Sequence, residues 1–210
     1  MNKLHTAKPK RILIDANSLV GNKTGIGHFT YRLIEALAKD KNVQLTAYYF
    51  NFLGRKPTPQ LPVGSNVSYK EVRFWPTKVL NILHRFRLQL PLELFVNTKP
   101  FDFIIFPNFV AIPTLRNVPY SNIVHDLGFI DCPQYVTTGN RLYLTRFVKR
   151  SIRGASFVAT ISEFTKSRLV RTYAIPSSKI IVIPIPYEPT TSKISPSANI
   201  QKIAQKPYIL

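Results

Sequence analysis

Residues Asp15–Leu37, DANSLVGNKTGIGHFTYRLIEAL, decide the fold. Before them runs Arg11-Ile12-Leu13-Ile14, a short β-branched run that reads as a buried strand. After them Phe29, Leu33, Ala36 and Leu37 recur at helical spacing, with Lys39 in the last turn. Gly21, Gly25 and Gly27 fall between strand and helix. A strand, a glycine loop and a helix start make an anion site, because backbone N–H groups are free there and the dipole is positive. The pattern is not a complete dinucleotide fingerprint. Thr30 stands where a third small residue would be needed, and Val43 to Phe50 carries no ribose-binding acid. The phosphate loop of nucleotide hydrolases is absent as well. Taken alone, the stretch is equally a glycine turn joining strand to helix.

Working outward, Val43–Phe50 is strand-like, and Asn51–Asn66, with three prolines and two glycines, is loop. Val67–Phe74 reads as a third strand. Thr77–Leu90 is a basic amphipathic helix, apolar at Val79, Ile82, Leu83, Phe86 and Leu90, with Pro91 at its end. Phe101–Phe106 is apolar at nearly every position, as a strand covered on both faces requires. Ser121–Asp126 is the next strand. Gly139–Arg153 is a second basic helix, with Gly154 expected just beyond it as a left-handed terminator. Ser156–Ile161 is a strand, Ser162 the N-cap of a helix reaching about Tyr173, and Ile180–Ile183 the last strand. Strands alternating with helices predict an α/β fold with an open parallel sheet.

In such sheets ligands bind outside the carboxyl ends of the strands. That rule selects Asn108 after one strand, the pair His125-Asp126 at the end of the next, and Ser162-Glu163 after a third. For His125-Asp126 the competing reading is a turn cap beside a histidine held by backbone.

Composition bounds the partners. The 210 residues carry 29 Lys+Arg against 10 Asp+Glu, a formal charge of +19, and 45% are hydrophobic. Such a field favours nucleic acid, anionic lipid or a phosphorylated substrate. No nucleic-acid motif accompanies it, so nucleic acid ranks last. The lone Cys132 excludes an internal disulfide framework and fits a reducing compartment. The first residues lack the apolar core of a signal peptide, and no apolar run approaches the roughly 20 residues of a membrane span. A cytoplasmic location is expected. A basic amphipathic helix such as Thr77–Leu90 is read first as an ordinary helix packed on the sheet, with peripheral contact with anionic membrane at its inner face as the alternative.

Four segments taken in order, RILIDANSLVGNKTGIGHFTYRLIEALAKD, PFDFIIFPNFVAIP, IVHDLGFIDCPQYV and RGASFVATISEFTKSRLVRTYAIPSSKIIVIP, resemble the N-terminal half of family-4 glycosyltransferases. The resemblance runs from Lys10 to Pro184 and implies a Rossmann-like open parallel sheet with helices on both faces, one half of a GT-B fold. It implies three regions: a tail over 1–9, the glycosyltransferase domain over 10–184, and a linker with the start of a further domain over 185–210. It also implies transfer of a sugar, with retention, from a nucleotide-sugar co-substrate to a sugar or lipid-linked acceptor, with no metal and no other cofactor. Gly25, Ile26 and Gly27 would lie near the donor phosphates or the acceptor. His125 would approach the reacting sugar, with Asn108, Asp126, Ser162 and Glu163 lining the cleft. Pro184-Ile185-Pro186-Tyr187 departs from the family's Pro-Asn-Gly, and the donor-binding half with its paired glutamates is not among these residues. The 210-residue chain is therefore expected to be inactive alone. The competing class is a non-catalytic module that kept the fold and holds anionic lipid or polysaccharide.

Overall fold

The structure, a computed structural model, describes residues 8–74 and 88–185. Most of the helix expected over 77–90, and nearly all of the expected tail and linker, lie outside the described residues. Among the described residues seven strands are formed: β1 Lys10–Asp15, β2 Val43–Phe50, β3 Val67–Val72, β4 Phe103–Phe106, β5 Tyr120–Val124, β6 Phe157–Thr160 and β7 Ile180–Val182. They join in one sheet of order β3-β2-β1-β4-β5-β6-β7, with every pairing parallel. This is the expected Rossmann-like α/β architecture. The chain runs outward from β1 to β3, then returns to lay β4 on the other side of β1. The reversal opens a crevice at the carboxyl ends of β1 and β4.

Parallel strands need crossovers, and their helices cover the sheet. Helix α1 spans Gly25–Leu37, a short α2 spans Gly128–Asp131, α3 spans Thr138–Gly154 and α4 spans Glu163–Tyr173. Side chains of successive strand residues point to opposite faces, and the core divides accordingly. Leu13 of β1 packs with Tyr48, Ile104, Phe106, Leu92 and Phe95. Its neighbour Ile14 packs with Leu45, Ala47 and Ile34 of α1. Farther along the sheet, Val124 and Val158 meet Phe147, Val148 and Ile152 of α3 and Leu169 of α4. Ile123 and Ala159 meet Phe29 of α1. Fully burying each Val, Leu, Ile or Phe among them contributes about 1.5–3 kcal/mol.

Two local expectations meet different fates. Ser162 caps α4 as expected, its Oγ accepting from the Thr165 N–H at 3.1 Å. A cap of this kind is worth about 0.5–2 kcal/mol. Gly154 does not terminate α3 from outside. It is the last helical residue, the backbone leaves through extended Ala155, and only Gly21 and Gly54 among the described glycines take positive φ. Space explains it instead: a Cβ on Gly154 would stand 2.5 Å from the Tyr120 hydroxyl, which donates to the Ser151 carbonyl at 2.9 Å. The glycine is there so that the end of α3 can close on the start of β5.

Candidate functional site

A cavity of about 460 Å³ fills the crevice at the β1–β4 reversal, within the range of small-molecule sites. Its floor is Asp15, the last residue of β1. The carboxylate is held from three directions. Oδ1 accepts from the Asn17 backbone N–H at 2.8 Å and from the Asn17 side-chain amide at 2.7 Å, and Oδ2 accepts from the Tyr48 hydroxyl at 3.2 Å. Asn17 is fixed in turn, since its Oδ1 accepts the Phe50 N–H at 2.8 Å. Burial pushes the Asp15 carboxyl above its ordinary 3.8, and these hydrogen bonds oppose the rise only in part. Burial, then the charge of Asp15, pushes the Tyr143 hydroxyl on α3 up to about 12. Tyr143, Asn108, Asn140 and Lys56 share the cavity lining with Asp15.

The shift carries a sign. A carboxyl with a folded pKa above its unfolded one holds its proton more tightly when folded. Its contribution to stability is largest below pH 3.8 and is lost as pH rises through the folded value. Asp15→Asn removes that loss. The variant should therefore gain stability relative to the parent as pH climbs from about 4 to 7 in urea unfolding. A constant difference across that range would mean that Asp15 is not desolvated.

Phe109 forms the wall beside β4. It is a non-glycine residue at φ 38°, a conformation that costs about 1–3 kcal/mol and persists only where neighbours enforce it. The fully buried Asn122 amide donates to the Phe109 carbonyl at 2.8 Å, and the Phe109 N–H donates to Ile123 at 2.9 Å. The ring lines the cavity on one side and packs against His125 on the other, with ring centres 5.6 Å apart.

His125 itself sits one layer behind that wall. It follows β5 on the α1 face and is 7% exposed. Phe29 meets it edge-on at 5.1 Å, and its Nε2 lies 2.8 Å from the Pro107 carbonyl. A carbonyl only accepts, so Nε2 carries the proton. Burial pulls its pKa below 6.5, against the Pro107 bond and the nearby Asp126 carboxylate. The ring is therefore neutral at neutral pH, and its Nε2–H is committed to backbone.

The other residues chosen from sequence divide between the cavity and the turns and helix starts that follow the strands. Ile26 and Asn108 line the cavity. Gly25, Ile26 and Gly27 form the first turn of α1 rather than the loop before it. Asp126 Oδ1 accepts the Gly128 N–H at 2.8 Å, so it caps a turn. The Ser162 hydroxyl is occupied by its capping contact, while Thr165 Oγ1 donates to the His125 carbonyl at 3.3 Å. Glu163 is exposed in the first turn of α4. Asp15, Asn17 and Tyr143 were not among the residues the sequence singled out. Asp15 could have been found by the strand-end rule that selected Asn108. Tyr143 could not, because it falls inside an ordinary helical pattern.

An open parallel sheet with a cavity at its reversal defines a Rossmann-like α/β domain. The sequence profile of Glycosyltransferase Family 4 matches residues 23–190, four-fifths of the chain, and the chain belongs to that family. It is also similar to the O-antigen chain mannosyltransferase B of Escherichia coli, with 22% identity over 164 residues. The match takes in 75% of this chain and 42% of that protein, so the chain spans well under two thirds of the relative's length. No helix among the described residues is long and apolar enough to cross a membrane.

Proposed function

We propose that this chain is the N-terminal, acceptor-side domain of a retaining glycosyltransferase that moves a sugar from a nucleotide-sugar onto a saccharide or lipid-linked acceptor. Membership of the family supports sugar transfer. The observation that carries the acceptor-side assignment is the cavity at the β1–β4 reversal. It presents a carboxylate, amides and a tyrosine hydroxyl, the groups that bind sugar hydroxyls, with Lys56 as the only cation of its lining among the described residues. A nucleoside diphosphate calls for clustered positive charge where its own charge develops. The donor would then be held chiefly by a second domain, across the cleft from this cavity. The nucleotide-sugar is a co-substrate, and the chemistry requires no metal or other cofactor.

Paired with a donor-binding domain, the chain should extend a saccharide acceptor by one sugar when given a nucleotide-activated mannose, the first donor to try in view of the E. coli relative. Mass spectrometry would detect the added residue, and the proton coupling at the new anomeric centre would report retention. The 210-residue chain alone should show no turnover. Failure with a full panel of nucleotide-sugars would sink the reading and favour a binding module.

A further inference from the structure

We infer that Asn122 and Ser151, neither of which lines the cavity, are positioning residues for sugar transfer: they hold the loop after β4 in the left-handed conformation that fixes Asn108 in the cavity wall. The word transfer rests on the glycosyltransferase reading, and the holding of the loop does not.

The loop, residues 107–111, is tied at its backbone to buried groups on two elements. The Pro107 carbonyl accepts from His125 at 2.8 Å, and the Phe109 N–H donates to the Ile123 carbonyl at 2.9 Å. The Phe109 carbonyl accepts from the Asn122 side-chain amide at 2.8 Å, and the Ala111 N–H donates to Ser151 Oγ at 3.0 Å. Ser151 is itself fixed, since its hydroxyl donates to the Phe147 carbonyl at 2.9 Å. That bond ties the loop to α3, the helix that brings Asn140 and Tyr143 to the same cavity. It therefore sets the span between two cavity walls.

Two observations separate this from ordinary packing. First, Asn122 is an unfavourable residue for its place. It is fully buried, its cross-strand partner is the apolar Val158, and its Oδ1 has no hydrogen-bond partner among the described residues. A buried acceptor left unpaired destabilises a fold, and an apolar side chain of similar size would carry no such group. Second, what its amide maintains is itself unfavourable, because Phe109 stands at φ 38°. Asn122 thus lowers stability twice, through its own orphan oxygen and through the backbone it enforces. Stability given up in this way is a mark of a functional site. The gain is a loop corner set in advance, which spares a ligand the cost of ordering Asn108.

Asn122→Val is the test, since valine suits a strand and is close to asparagine in size. In the 210-residue chain Phe109 should leave positive φ, seen as loss of the strong amide–Hα Overhauser effect within that residue. The melting temperature should hold or rise. In the complete enzyme, with its donor-binding domain, kcat/KM should fall at least ~10-fold. Ser151→Ala keeps a good helix former in α3, releases Ala111 and should lower kcat/KM roughly 3-fold. Added to Asn108→Ala, Asn122→Val should cost less than about 2-fold more, because the group it positions is gone. The inference is overturned if Phe109 keeps its positive φ, if Asn122→Val lowers the melting temperature, or if its loss in kcat/KM adds in full to that of Asn108→Ala. Turnover by the parent that neither variant changes would sink this inference alone. A parent without turnover on any nucleotide-sugar would sink the proposed function, and the holding of the loop would still be decided by Phe109 in the 210-residue chain.

Discussion

His125→Ala is expected to lower the melting temperature by roughly 5–10 °C. The ring is packed between Phe29 and Phe109, and its Nε2–H satisfies the Pro107 carbonyl. Truncating a buried aromatic-sized side chain and orphaning one carbonyl together cost about 2–3 kcal/mol. For a chain of this length each kcal/mol moves the midpoint by roughly 2–4 °C. Turnover of a complete enzyme should fall as well, because Pro107 and Phe109 flank cavity-lining Asn108. His125→Phe separates the terms: it restores the packing, loses only the Pro107 bond and should recover most of the melting temperature. The pH dependence supplies a further check. A histidine with a lowered folded pKa contributes full stability above about 6.5 and loses it as pH falls toward the folded value. The parent should show that acid-side loss, and His125→Phe should not. If His125→Ala instead kept its melting temperature while kcat dropped ~10-fold or more, the imidazole would have to reach substrate directly.

The strands were legible because parallel strands covered on both faces are written as apolar runs. Val43–Phe50 was read to the residue, and the helix cap at Ser162 followed from ordinary side-chain chemistry. The same apolar runs hide which face each residue takes. Along β5 and beyond it, Ile123 and His125 fall on the α1 side and Val124 on the α3 side. When both faces are apolar, nothing in the pattern fixes that parity. His125 was therefore placed correctly at a strand end, while its burial against Phe29 was not visible. Asp15 suffered the converse. It ends β1 on the side of Tyr48 and α3, and the partners that make it a site come from 33 residues away in Tyr48 and from α3 in Tyr143. The Gly154 reading failed because tertiary contact, here Tyr120, outweighed the usual reason for a glycine at a helix end.

Gly27→Ala is expected to cost about 1–3 kcal/mol, whereas Gly25→Ala should cost nothing and gain up to ~1 kcal/mol. The two glycines share the first turn of α1 and differ in what surrounds them. A Cβ on Gly25 meets nothing within 4 Å, but one on Gly27 would stand 2.6 Å from the Ser18 carbonyl oxygen. That oxygen is backbone and cannot rotate away, so either α1 or the loop after β1 must move. The loop has little freedom. The Ser18 hydroxyl donates to Thr30 Oγ1 at 2.9 Å, and Thr30 donates to the Ile26 carbonyl at 2.9 Å. Thr30, at the position where a dinucleotide site would need a third small residue, thus ties the loop to the helix. Moving Ser18 also moves Asn17, which positions Asp15. Gly27→Ala should therefore lower the melting temperature by roughly 3–10 °C and reduce acceptor binding together. Gly25→Ala isolates the other use of a glycine. If a ligand approaches the main chain there, binding or turnover falls while the melting temperature holds or rises. Thermal unfolding and glycoside titration of both variants would decide it, and a Gly27→Ala protein as stable as the parent would show that Ser18 yields freely.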